Sequence, residues 1–413
     1  MEYIRTAERE FPAGEDFQLE YEGRSGNILI EGGDVERARV QIVAHIFEES
    51  AGDADDTLQR IVDGVRMDGN TLRITPPRVA SGGFFFFNRG PRIDYAVTVP
   101  RRTRCKVASS SGRVEVARLR GAVDVAQKSG RTNARAIDGD VRIISKSGAT
   151  DAEEVGGNLM LQSQSGKVSL DRVRGNVSVQ AQSGSIKVTH VGGSLNARTQ
   201  SGRLDALDIG GDAFLATQSG RVGIRGPGGA VKMHAVSGAA YYEGRVNGAV
   251  EISTTSGAIH FDVDPVKPFF LDAETVSGSI RSDLSQRRGE GPPPDDAPHV
   301  RLRTVSGAIR IGPKHGVTIG IAFGKDFRFD FAEDMDFDID FDANDIETEI
   351  NRTVEEQVAK AQERAQRHAE RAQRQAERMQ RRAERMAEHM RRRAAGETVN
   401  DDEDETEADD ELL

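Results

Sequence analysis

Serine is the residue whose spacing most invites a chemical reading in this chain. Ser111, Ser129, Ser147, Ser165, Ser183, Ser201, Ser219 and Ser237 each precede a glycine and fall 18 residues apart; the series continues at Ser256, Ser277 and Ser306. A serine hydroxyl becomes a nucleophile when a base is placed beside it. Such a group is needed once and not in every repeat, so the spacing points to a structural turn ladder. The histidines (His190, His234, His260, His299) are scattered, and there is neither a Walker-type glycine loop nor a metalloprotease histidine pair. The single cysteine, Cys105, excludes an internal disulfide framework and a multi-cysteine zinc site; next to Val107 in a strand-like stretch, it reads as inert. An outward column of Arg113, Arg131, Lys167, Arg203 and Arg221 could meet an anionic polymer, but Ala149 and Ser185 interrupt it and it reads as a solvated face. A calcium-binding nonapeptide roll needs Gly-Gly-x-Gly-x-Asp turns; here the turns read Ile137-Asp138-Gly139-Asp140 and Val155-Gly156-Gly157-Asn158. The sequence offers no catalytic, cofactor-binding or metal-binding set, and a non-enzymatic protein is expected.

The elements that place these residues follow from the repeat itself. Apolar residues stand two apart after each Ser-Gly pair (Val114 and Val116, Val168 and Leu170, Ile186 and Val188) and again after a mid-repeat glycine (Val123 and Val125, Leu159 and Leu161, Val177 and Val179). Alternation of this kind marks a strand with one buried face. Gly121, Gly139, Gly157, Gly175, Gly193, Gly211 and Gly229 divide the repeat into nine-residue halves, each a strand plus a turn. Stacked repeats with equivalent residues ~4.8 Å apart make a parallel β-solenoid with 18-residue coils. Gln164, Gln182, Gln200 and Gln218 share one register as a candidate amide ladder. Ser145, Ser163, Thr199, Thr217, Thr254, Thr275 and Thr304 form a neighbouring hydroxyl column.

Composition agrees with a narrow stack. Among 413 residues there are 44 glycines and no tryptophan, so the core is aliphatic and thin. Each repeat touches only its neighbours, which frees the chain from ordinary domain arithmetic. The start, Met1-Glu2-Tyr3-Ile4-Arg5, lacks a signal-peptide design, and no apolar run approaches the ~20 residues that span a bilayer. A cytoplasmic location with at most peripheral membrane contact is expected.

Five segments are expected. Residues 1–100 read as a β lead-in that caps the solenoid, outside the 18-residue register, with Phe84 to Phe87 buried over the end. Residues 101–315 carry the repeats, with 283–299 a loop extruded from one coil. Residues 316–345 alternate phenylalanine with charge, as in Phe327-Arg328-Phe329-Asp330-Phe331, and read as an acidic β segment. Residues 346–396 read as a long charged helix, ~75 Å if continuous, with a small-residue heptad seam through Ala365, Ala369, Ala372, Ala376 and Met379. Glu363, Glu370 and Glu377 each precede an arginine by four residues, a favourable order. Residues 397–413 form an acidic tail expected to be disordered.

The pattern Ser-Gly-x-Val-x-Val, with Tyr95-Ala96-Val97-Thr98-Val99-Pro100 leading into Ser111-Gly112, resembles the DUF4097 family, whose members also carry the label of adhesins. The likeness covers about residues 15–312 and omits the helix and tail. It implies a β-solenoid without established catalysis, some members being encoded with cell-envelope stress-response proteins. The reading is therefore a scaffold with a protein partner, such as an envelope-stress regulatory protein, or self-association through helix 346–396. No nucleic acid is expected. The alternative is a surface or secreted adhesin binding a carbohydrate or another cell.

Overall fold

The computed structural model describes residues 1–77, 91–264, 267–284, 294 and 296–313. The chain divides into two compact units, Met1–Phe327 and Arg328–Leu413, and every described residue belongs to the first. Phe84 to Phe87, most of the 283–299 insertion, the 316–345 segment, the expected helix 346–396 and the acidic tail 397–413 lie outside the described residues.

Twenty strands and one helix make up the described chain. The first group is β1 (Glu2–Pro12), β2 (Gln18–Gly23), β3 (Ile28–Gly33), β4 (Arg37–Phe47), α1 (Ala51–Asp63), β5 (Val65–Asp68), β6 (Thr71–Ile74) and β7 (Arg92–Pro100). Next come β8 (Arg104–Ser109), β9 (Arg113–Leu119), β10 (Val123–Ile137), β11 (Val141–Val155), β12 (Leu159–Val173), β13 (Val177–Val191), β14 (Leu195–Ile209), β15 (Ala213–Pro227) and β16 (Val231–Gly244). The last are β17 (Val250–Ser256), β18 (Ile259–Val263), β19 (Phe270–Ser282) and β20 (His299–Pro313).

From β8 and β9 through β16 each coil pairs parallel with the next at an offset of 18 residues, as in Val123 with Val141 and Thr132 with Thr150. The expected register and solenoid are therefore present. Each coil has two arms. Residues such as Val141 and Ile143 on the first, Ala152 on the second and Val155 at the far corner point into one continuous core. The core widens toward its later coils, where Tyr242 and Phe261 stack with ring centroids 4.7 Å apart and Phe269 meets Phe261 edge-on.

One expectation is corrected at the N-terminal end. Part of residues 1–100 joins the register: Leu19 pairs with Cys105 and Ile28 with Val114, so residues 18–33 are a full coil with Ser25-Gly26 as its corner. That coil is sandwiched, because β6 and β7 pair parallel on its other side. Beyond them the strands reverse. β4 runs antiparallel to β7, β1 antiparallel to β4, and β5 antiparallel to β6. Helix α1, absent from the sequence reading, starts at Ser50, whose side chain accepts the Asp53 N–H, and buries Ala54, Thr57, Ile61 and Val62.

At the other end, the order of the coils departs from chain order. β20 pairs on one side with β17 and β18 and on the other with β19. The coil latest in the described chain therefore slots between two earlier ones, and β19 is left on the outside. Sequence order alone gives no sign of that rearrangement.

Candidate functional site

The Ser-Gly corner is the feature repeated most often, and its geometry decides what the serines can do. The glycine sits at φ +122° at Gly130, Gly148 and Gly184, a conformation open essentially to glycine alone. Space is closed as well: a Cβ on Gly148 would overlap the carbonyl oxygen of Gly130 in the coil below. The preceding serine turns its hydroxyl along the stack. Ser111 donates to the Arg24 carbonyl (3.0 Å), Ser129 to Ser110 (3.1 Å), Ser147 to Lys128 (3.4 Å), Ser165 to Lys146 (3.4 Å), Ser183 to Gln164 (3.3 Å) and Ser201 to Gln182 (3.4 Å). These hydroxyls face carbonyl oxygens and not a base, so they tie coils together and are not arranged for attack on a substrate.

The hydroxyl column lies just inside. Ser145, Ser163, Thr199, Thr217, Thr254 and Thr304 are buried, Thr275 half-buried. Thr199 donates to the Ser201 carbonyl (3.1 Å) and Thr254 to the Gly257 carbonyl (3.2 Å), bracing the corner from within. In the same register stands Gln127, whose amide donates to the Gly112 carbonyl (2.8 Å) and whose oxygen accepts from Thr132. Gln164, Gln182, Gln200 and Gln218 are exposed, and the backbone carbonyls of Gln164 and Gln182 accept from Ser183 and Ser201 of the next coil.

The opposite corner carries a ladder that the sequence reading missed. Asp140 accepts the Asn158 N–H (2.8 Å), Asn158 the Asn176 N–H (3.0 Å), Asn176 the Ser194 N–H (2.9 Å), Ser194 the Asp212 N–H (3.3 Å) and Asp212 the Ala230 N–H (2.7 Å). Each side chain satisfies a backbone donor one coil up. The mid-repeat glycines make room for it: a Cβ on Gly157 would press on the Asp140 carboxylate. Their role is close approach, since none of them falls among the left-handed positions. The signal was readable as Asp, Asn or Ser directly after Gly139, Gly157, Gly175, Gly193 and Gly211.

Before this corner runs a column with left-handed backbone at Arg118, Ala136, Glu154, Arg172, His190 and Asp208 (φ 52–59°), ending at Gly226 (φ 65°). Left-handed geometry costs a non-glycine residue roughly 1 kcal/mol or more. The residues share no chemistry, so nothing in their identities announces it.

A cluster of titratable side chains lies on and beside this column. Arg135 meets Glu153 (2.8 Å), and Arg172 meets Glu153, Glu154 and Asp171. His190 faces Asp171 through Nδ1 (2.8 Å) and Asp208 through Nε2 (3.5 Å). Burial opposes ionisation of Asp171, but hydrogen bonds from His190 and Thr189 outweigh it and hold the carboxyl below the usual aspartate value. With both ring nitrogens of His190 facing carboxylates, this is a surface ion-pair network without a nucleophile to activate.

The basic column is partly occupied by neighbours. Arg203 pairs with Asp205, and Arg221 lies 3.8 Å from the centroid of the Tyr241 ring, which stacks on His260 at 4.6 Å. Arg113, Arg131 and Lys167 are exposed. Cys105 is buried, and desolvation pushes its thiol well up, which disfavours the reactive thiolate. Among the described residues no group of three or more His, Cys, Asp and Glu is placed to hold a metal ion. No described helix is long and apolar enough to cross a membrane. A groove of about 680 Å³ opens between Arg24, Gln127, Lys128 and Lys146, at Pro77 and Pro91, between which the chain lies outside the described residues.

Comparison with known proteins supplies two likenesses. The Toastrack DUF4097 family model matches residues 34–240. Among solved structures, a candidate cell adhesion protein from Clostridium sporogenes ATCC 15579 aligns at 12% identity over 76% of this chain and 99% of that one, with a TM-score of 0.18. The adhesion in that description stays with that protein. Curated proteins give no match.

Proposed function

We propose that this chain, which belongs to the Toastrack DUF4097 family, is a non-enzymatic β-solenoid scaffold that works by binding other proteins. The observation that carries the reading is the fate of the serines: their hydroxyls, from Ser111 to Ser201, bond to carbonyls of the neighbouring coil. A stack with a continuous core is a stiff platform, and its chemistry lies in extended faces more than in a cleft. On this reading residues 346–396 form a charged helix that engages a protein partner or a second copy, and the acidic residues 397–413 remain a solubilising tail. The partner class is a regulatory protein of the bacterial cell-envelope stress response. The protein is cytoplasmic, meets membrane at most peripherally and does not bind nucleic acid.

Partner capture tests this reading. Full-length protein and a version ending at Asn344 are drawn from separated membrane and soluble fractions of native cells. A regulatory or membrane-associated partner held by the full chain and lost on truncation is the expected result. Turnover of any substrate in a glycan hydrolysis panel, or absence of a partner in every fraction, overturns it.

A second reading, an adhesin for carbohydrate or another cell, is favoured by one feature. The half-buried Tyr241 and His260 stack on the outer face beside Arg221, the kind of amphipathic surface that sugars contact. Tyr241→Ala should then abolish retention on a glycan array. Wild-type protein that binds no glycan removes this reading.

A further inference from the structure

Among the described residues no strand pairs with the outer edge of β19, whereas its inner edge is bonded to β20 from Phe270 to Ser282. The edge turns one corner: a first arm from Phe270 to Thr275, the corner at Ser277-Gly278, and a second arm from Ser279 to Ser282. By register with the buried positions of β20, Ala273 and Thr275 on the first arm and Ile280 on the second belong to the inward columns. The outward columns carry Asp272, Glu274 and Val276 on the first arm and Arg281 on the second. Val276 is 78% exposed and Ile280 43%, so apolar surface accompanies the open backbone. A long edge of this kind is a template for another strand.

We propose that a second copy of this chain covers the edge. The two copies meet end to end about a two-fold axis through the Ser277-Gly278 corner, with the first arm of each antiparallel to the second arm of the other. Charge is self-complementary at one pair of positions: Glu274, which also meets Arg303 of its own chain at 3.6 Å, faces the partner's Arg281, and Arg281 faces the partner's Glu274. Isologous contacts of this kind are the commonest in homo-oligomers. Head-to-tail stacking is disfavoured, because the outermost strands at the opposite end are two separate ones, the four-residue β5 and β1, and make no continuous coil to match β19. Antiparallel pairing on a parallel stack is also geometry that the fold already uses, where β4 joins β7. The contact is independent of the C-terminal arm invoked above, so either can fail while the other stands.

The test uses the full chain. Light scattering across micromolar concentrations should give a dimer. Ser277→Cys places a thiol beside the axis and should yield a covalent dimer on mild oxidation; wild type should not, because Cys105 is buried. Arg281→Glu should weaken dimerisation at least about tenfold, since like charges then face each other, and Glu274→Lys should do the same. Mixing these two variants should restore a dimer, because each supplies the charge that the other lacks. All of these positions are exposed, and an unchanged melting curve confirms folding. A monomer that fails to cross-link overturns the proposal. A dimer indifferent to Arg281→Glu and to Ser277→Cys also overturns it, by placing the contact elsewhere. A monomer whose 270–282 amides resist hydrogen exchange overturns it as well, by showing that the chain covers its own edge.

Discussion

The two ends of the solenoid solve one problem in different ways. At the N-terminal end the strands change direction, from parallel β7 to antiparallel β4 and β1, and α1 adds buried Ile61 and Val62. At the C-terminal end the described stack stops at β19 with unpaired backbone, an exposed Val276 and opposite charges on its two arms. A closed end contributes core and resists unfolding. An open one contributes little to stability and offers surface for association.

The largest effect is expected where closure depends on a single side chain. Ile61→Ala removes a fully buried group and should cost about 3 kcal/mol in urea unfolding. Val276→Ala at the other end should cost under about 0.5 kcal/mol; similar losses at both positions would break the contrast. Next comes the middle of the stack, where Gly184→Ala meets both a φ of +122° and the Gly166 carbonyl and should cost about 2–3 kcal/mol. If the coils unfold as one unit, calorimetry of that variant shows a single shifted transition; if the closed end outlasts the rest, it shows two. Asn176→Ala deletes one rung of the corner ladder and should cost about 1 kcal/mol by the same urea measurement. Ala136→Gly relieves a left-handed residue (φ 52°) at some cost in chain entropy, and should stabilise by about 0.5 kcal/mol. The smallest expected effect is on pH dependence. Asp171 is held below its ordinary value in the fold, so its contribution is complete above that value and fades as pH falls through the folded one. Asp171→Asn should flatten the acid limb of a stability–pH curve, and an unchanged limb would remove the contribution.

The repeat was legible because its demands are local. A glycine with no room for a Cβ, a serine before it and apolar residues two apart recur from coil to coil, so the register could be read by counting. Ser25-Gly26-Asn27-Ile28 carries the same signal as Ser111-Gly112-Arg113-Val114, but the interval of 86 residues hid it. The helix α1 was hidden by composition, since Gly52 and four acids surround its few apolar residues and its apolar face makes sense only against the open end of the sheet. The left-handed column was unreadable because the backbone imposes it on Arg, Ala, Glu, His and Asp alike. Of the candidate site, the Ser-Gly corner was visible, and in the fold its serines from Ser111 to Ser201 bond to carbonyls of the neighbouring coil. The self-complementary edge was not, since it depends on β20 displacing β19 to the outside.

That displacement has a mechanical consequence. A stack of strands peels like a zipper, from whichever tooth is last. Here the first coil in chain order, residues 18–33, lies two or three strands in from the margin and the last described one, residues 299–313, lies one strand in, each gripped on both sides. Tension applied at Pro313 therefore bears first on a strand held by two neighbours, and the outermost strand is reached only through the connection behind it. Pulling at this residue must shear two ladders together where an orderly stack would yield one at a time.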